Sequence, residues 1–328
     1  MDLTSLYHHE IPTFLQEFAN TQAMLRLQQV GMHCGCEYTN YPIFKNLDIY
    51  SRYDHSLGVA LIIYHFTKDM KQSLAGLFHD IATPTFSHVI DFLNNDHLTQ
   101  ESTEDGTREI IERSSDIQEL LKKYHLTTDE VCDYHIYPIA DNDTPQLSSD
   151  RLEYTLNNVI NFNFGSLEDI KTIYENIIVS KNECNEIELQ FKDEQYALQF
   201  AHYSLQCSKI YVADADRYSM QHLAELLKQA IEDHVLVYED LYQNEPFVIQ
   251  KLEQNEYYNQ QWNLFKKQST IYKSTDPVDS SYRMIHAKKR YIDPYILNKG
   301  RVTTIDTNYQ QLLQEFINSS FTYWITGR

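Results

Sequence analysis

The chain has 328 residues, 42% hydrophobic and 13% aromatic, enough for one large domain or two ordinary ones with a substantial core. Its formal charge of −20, from 27 basic and 47 acidic side chains, argues against long DNA or RNA as a ligand, because phosphate backbones are gripped by lysine and arginine. No window approaches the roughly 20 apolar residues of a membrane span. No basic-then-apolar leader opens the sequence, and five scattered cysteines make no disulfide framework, so a cytoplasmic protein without membrane contact is expected.

Glycine and proline are scarce, at eight each, and residues 11 to about 125 read as successive helices with short breaks. "PTFLQEFANTQAMLRLQQVG" spaces Phe14, Phe18, Met24, Leu25 and Leu27 at a helical period, with Gly31 as the expected C-cap. Cys34-Gly35-Cys36 follows, a pattern that suits a metal or redox pair, but no second cysteine cluster accompanies it. "HSLGVALIIYHFTKDM" continues as a strongly apolar helix. "LTTDEVCDYHIYPIA" has a Thr-Asp helix start and turns irregular at Pro138, and "SSDRLEYTLNNVINF" opens another helix with serine or aspartate caps. Residues 181–192 alternate apolar and polar as a short strand or hairpin does, before long helices resume. From about 245 onward the chain reads as a mixed α+β part. The predicted class is mainly α, with a helical core over residues 1–180 and a helical continuation with a smaller α+β region over 181–328.

Polar residues at the helix ends carry the chemistry. His55 in "RYDHSLGV", His79 and Asp80 in "LFHDIA" and Asp150 in "SSDRLEY" sit in or beside apolar runs, where an imidazole or carboxylate must be paired or bound to a metal. Together they form a mixed set of two nitrogen and two oxygen donors, suited to a first-row divalent ion or Mg²⁺. They belong to one site only if a helical fold brings three distant segments together.

"RYDHSLGV", "LFHDIATPTFSHVID" and "DRLEY", in this order, resemble the HD-domain metal-dependent phosphohydrolases, and within them the deoxynucleoside triphosphate triphosphohydrolase branch. "AMLRLQQVG" and "KKRYIDPYI" are similar to further segments of that branch. The resemblance implies a helical core that holds one divalent ion (Mn, Fe, Mg, Ni or Zn) through His55, His79, Asp80 and Asp150. It also implies substrate contacts from Gln29, Arg52 and Tyr154, and a catalytic pair His88 and Asp91, three apart on one helical face. Thr83 and Gln100 stand where the triphosphohydrolase pattern carries histidines.

The expected function is metal-dependent hydrolysis of a nucleotide or related phosphate ester. The alternative is a catalytically reduced nucleotide sensor that keeps the metal and the pocket. A homodimer or larger homo-oligomer is also expected, with Tyr257, Tyr258 and Trp262 as interface anchors.

Overall fold

The computed structural model describes residues 3–94 and 106–328. Gln100 lies outside the described residues. Helices dominate, with two small sheets and three apolar clusters.

Helix α1, Arg52–Thr67, starts at a reciprocal cap in which the Ser51 hydroxyl accepts from the Asp54 N–H and the Asp54 carboxylate accepts from the Ser51 N–H. Every residue from His55 to Ile63 is buried, so this is a central helix covered on all sides. It ends at Lys68 in the left-handed conformation, and Asp69 then caps α2, Met70–Phe78, by accepting from the N–H groups of Lys71 and Gln72. Gly76 lets α1 and α2 pack closely, since a Cβ there would lie 2.3 Å from Ile63 Cδ1. His79 therefore falls at the C-cap of α2, with Asp80 directly after it.

Helix α3, Val89–Leu93, packs on the long helix α6, Asp214–Glu232, while α4, Ser149–Asn161, packs on α1 and on α5, Glu194–Ile210. The hairpin expected near 181–192 is β1, Ile177–Lys181, antiparallel to β2, Ile187–Phe191, in register Ile177 opposite Phe191. Strand β2 runs parallel to the short β4, Tyr295–Ile296, which pairs with β5, Gly300–Arg301. Strands β3, Ile271–Ser274, and β6, Trp324–Gly327, form a separate antiparallel pair.

The larger apolar cluster packs Phe18, Leu61, Leu77, Leu156 and Phe200 around α1, α2, α4 and α5. The second joins Phe44, Phe86, Phe92, Met220, Leu223, Trp262 and Phe265 around α6. Val59, Ile63, Ala75, Tyr134 and Ala140 make the small third.

Three expectations are corrected. The helix expected over residues 12–30 is three pieces, Thr13–Ala19, Gln22–Arg26 and a 3₁₀ turn Leu27–Gln29. It breaks because the Thr21 hydroxyl donates to the Phe18 carbonyl, while Thr21 itself is extended. Gly31 is not a left-handed cap; it bridges to Ser51 and donates its N–H to Glu245 Oε1 at 2.7 Å. Tyr258 and Trp262 lie in the second cluster, 2% and 1% exposed, so they cannot anchor an interface; Tyr257 is 56% exposed.

Gly58 faces α4, and a Cβ there would lie 2.6 Å from Glu153 Oε1. Alanine at an interior glycine gains about 1 kcal/mol of helix propensity, but overpacking typically costs about 1–3 kcal/mol. With its neighbour a buried carboxylate rather than a mobile chain end, the clash prevails. Gly58→Ala is expected to lower stability by about 1–2 kcal/mol, read by thermal unfolding; an unchanged or raised melting temperature would show that Glu153 yields freely.

Candidate metal centre

Three segments that are far apart in sequence meet at one point. His55 Nε2 on α1 lies 3.2 Å from His79 Nε2 after α2 and 3.0 Å from Asp150 Oδ1 on α4. Asp80 Oδ2 is 3.5 Å from His79 Nε2 and 3.9 Å from His55 Nε2, and His79 Nε2 is 3.9 Å from Asp150 Oδ1. Among the described residues, His55, His79 and Asp80 are a buried group whose donor atoms all lie within 4.8 Å of one another. Asp150 closes the set on the more open side, its side chain 20% exposed.

The outer nitrogens explain why these rings aim inward. His79 Nδ1 is 2.7 Å from the Gly76 carbonyl, which can only accept, so the proton sits on Nδ1 and the Nε2 lone pair faces the centre. His55 Nδ1 is 2.6 Å from Glu153 Oε2, a carboxylate 1% exposed that also accepts from the Tyr50 hydroxyl and the Asn157 amide. Two inward imidazole nitrogens, each fixed from behind, and two carboxylate oxygens fit a divalent ion with positions left for water and substrate.

Charge at the centre is balanced locally. Burial raises the cost of ionising Asp80, yet Arg52, whose Nη1 donates to Asp80 Oδ2 at 2.9 Å, and the two imidazoles hold its carboxyl well below the usual range. Asp150 is likewise lowered, to about 2, against burial and through its hydrogen bond to His55. Burial opposes a charged His55, but Asp150 and Glu153 prevail and push it up to about 10.

The remaining expected residues divide. Arg52 and Tyr154 line the cavity of about 160 Å³ above the centre, the Tyr154 ring 6.4 Å from that of His55. Arg52 is already engaged, by Asp80 and by Ser87 Oγ at 2.9 Å. His88 also lines the cavity, with Nδ1 2.9 Å from Oδ2 of the fully buried Asp91 and Nε2 3.4 Å from Arg290 Nη2. Burial, aided by Arg290 and Arg52 against Asp91, holds His88 below the usual histidine value. Gln29 is exposed at the end of its 3₁₀ turn and does not line the cavity; it is the backbone of its neighbour Val30 that reaches the site, by accepting from the Arg52 N–H. Thr83 is fully buried and donates to Asp80 Oδ1 at 2.8 Å, so its hydroxyl is engaged in bracing that carboxylate.

Several residues escaped the sequence reading. Glu153 lies one helical turn after Asp150 on the buried face of α4, an unpaired acid in an apolar stripe that could have flagged it. Ser87 follows Phe86 in a pair of left-handed residues, φ 51° and 61°, that places its hydroxyl between Arg52 and the Gly31 carbonyl. Arg26 ties the Ile81 and Thr83 carbonyls to that of Gln243, bracing the segment that carries Asp80.

Residues 52–146 match the HD domain family. This stretch is an HD domain. It contains His55, His79 and Asp80, while Asp150 lies just beyond it. The chain is 25% identical over 247 residues to the uncharacterized protein YdhJ of Bacillus subtilis, covering 74% of this chain and 71% of that one. It is 25% identical over 131 residues to the metal-dependent phosphohydrolase cns2 of Cordyceps militaris, 39% of this chain and 36% of that protein, so it spans about a third of that relative's length. A crystal structure of a hypothetical protein from Aquifex aeolicus shares the fold, with a TM-score of 0.64 at 17% identity over 97% of this chain and 93% of that one.

Two measurements check the centre. Because Asp150 and Glu153 favour a protonated His55 against burial, and the ring must be neutral to ligate, metal affinity is expected to rise with pH above neutrality. Calorimetry in buffers of different ionisation enthalpy should show close to one proton released, and a pH-independent affinity would contradict the ligand role of His55. Glu153→Gln should weaken metal binding by about 10–100-fold, measured by competition with a chelator.

Proposed function

We propose that the protein is a metal-dependent phosphohydrolase acting on a small phosphate ester, a nucleotide or a related compound. The observation that carries this reading is the convergence of His55, His79, Asp80 and Asp150 at the floor of a cavity whose wall holds His88 and Arg290. The HD domain and the phosphohydrolase named among the relatives support it. When bound, a divalent ion supplies Lewis acidity toward phosphoryl oxygens and lowers the pKa of water at the site.

The chain's own groups do the rest. Arg52 is held by Asp80 and Ser87, so it keeps a ligand carboxylate ionised and in place. Phosphate binding then falls to Arg290, half-buried beside His88 with a planar guanidinium that can hold two oxygens at once. His88 donates Nδ1–H to Asp91, which fixes the tautomer and turns the Nε2 lone pair toward Arg290, so it becomes available once that guanidinium engages phosphate. Held neutral by burial, it accepts a proton at Nε2 as water attacks and returns it to the leaving oxygen. Tyr154 flanks the reacting centre. A chain of charge −20 that works as a homodimer or larger closed assembly in the cytoplasm, without long nucleic acid or membrane, completes the proposal.

A second reading, a nucleotide sensor, is favoured by Thr83, whose hydroxyl is spent on Asp80 and leaves that side of the centre without an acid. One experiment separates them. Metal-loaded protein is incubated with a panel of nucleotides and with p-nitrophenyl phosphate, and released phosphate, pyrophosphate, triphosphate and nitrophenol are measured before and after chelation. Chelator-sensitive product supports the hydrolase; thermal stabilisation by nucleotide without product supports the sensor. His88→Gln, whose amide can still donate to Asp91, is expected to lower turnover by about 10²–10⁴-fold at unchanged metal content. Undiminished turnover would remove His88 from the reaction.

A further inference from the structure

The cavity lies between the two large apolar clusters, and its two sides differ in chemistry. The floor is the metal centre, carried by α1, the end of α2, and α4. The opposite wall is carried by α3, α6 and residues 32–44. There Cys34, Phe44, Phe92 and Met220, all buried members of the second cluster, form an apolar slot. One acid, Asp216, sits on the same face of α6 one turn before Met220 and also lines the cavity.

Three buried polar atoms on the cavity wall have no hydrogen-bond partner: His33 Nε2, Asn158 Oδ1 and Asp216 Oδ2. Buried polar atoms in folded proteins are nearly always paired, so each of these is a cost that a ligand could offset. Asp216 has little else to do. Its other oxygen meets only the Cys36 thiol, a weak donor, at 3.9 Å. Burial pushes its carboxyl up to about 8 in spite of Arg217 and Arg290, so the protein bears the cost of this group without recovering it from an internal contact. Such a cost is characteristic of a group that waits for a ligand.

We propose that Asp216 is a specificity-determining residue: it accepts a hydrogen bond from an N–H or amino group on the edge of a flat ring that the phosphate ester inserts between Cys34, Phe44, Phe92 and Met220. The organic half of the substrate is then a nitrogen heterocycle with a donor edge rather than a sugar phosphate or an aliphatic ester. An apolar slot with one acceptor holds such a ring by its faces and reads its rim. This rests on the phosphohydrolase reading only for the phosphate end.

The test uses Mn²⁺-loaded protein and two purine nucleotides identical except that one lacks the exocyclic amino group, with affinities taken from ligand-induced melting shifts. Wild-type protein is expected to bind the amino nucleotide at least about tenfold more tightly, since a site built to bond a donor rejects the analogue without it. Asp216→Ala should erase the difference, and Asp216→Asn, which keeps an acceptor oxygen, should retain most of it. The ligand-free melting temperature of Asp216→Ala should be equal to or above that of the wild type, because an unpaired buried carboxyl is removed. Equal affinities in the wild type, discrimination that survives in Asp216→Ala, no binding of either nucleotide, or a variant that fails to fold would each overturn the proposal. Hydrolysis of p-nitrophenyl phosphate, which presents no donor edge, is followed in parallel. Its absence alongside intact discrimination would count against the hydrolase and leave the role of Asp216 standing; its presence without discrimination would do the reverse.

Discussion

The hydrogen bond between His55 Nδ1 and Glu153 is the interaction on which the rest of the site depends. It places a carboxylate behind an imidazole in the interior of the protein, where neither group is tolerated alone. Gly58 makes room for it on α1, Tyr50 donates to the same Glu153 oxygen as His55 and Asn157 to the other, and the pair fixes which nitrogen of His55 looks inward. The crossing of α1 and α4 is thus set by a polar contact as well as by Leu57, Leu152 and Leu156. His79, oriented by a backbone carbonyl of its own helix, needs no such help, so the two histidines reach one point by different means.

Sequence and structure agree best where a short motif carries both a helix end and a buried polar group. His79 and Asp80 were legible because a polar pair directly after the apolar run of α2 has few places to go, and Asp150 because its serine caps mark the first turn of α4. The helical class was legible from periodicity and from the scarcity of glycine and proline. Glu153 was passed over, since an acid in a helix reads as solvent-facing unless its place in the apolar stripe of α4 is weighed. Gln29 read as a substrate contact because the motif around it aligns; the 3₁₀ turn that closes this segment rotates it outward and sends Val30 inward. Thr83 was legible as a residue where the pattern carries a histidine, but the turn after Asp80 that folds its hydroxyl back onto that carboxylate was not. Tyr258 and Trp262 show the limit of composition, because aromatic content does not tell a core from a surface.

The segment from His79 to Asp91 is where local geometry departs furthest from regular structure. It supplies two expected ligands, the Ser87 hydroxyl and the His88–Asp91 pair within thirteen residues of chain. Two successive left-handed residues, Phe86 and Ser87, make this possible, and such conformations persist only where their surroundings impose them. The Phe86 side chain sits in the second apolar cluster against Trp262, and the Thr85 N–H donates to the Leu241 carbonyl. The polar surface of the cavity is therefore held in shape by the apolar cluster behind it.

The distribution of charge has a kinetic consequence. The molecule as a whole carries −20, and on the cavity wall Lys288 and Arg290 stand with Arg52 among the carboxylates of Asp80, Asp150 and Asp216. An anion approaching from bulk solvent meets repulsion at long range and finds cationic partners only once it has reached those side chains. Added salt shortens the reach of the outer field, with a screening length of about 10 Å at 0.1 M, and acts far less on charges inside a partly buried cleft. Encounter with an anionic ligand should therefore quicken as ionic strength rises, the reverse of electrostatic steering in proteins whose surface and site share one sign.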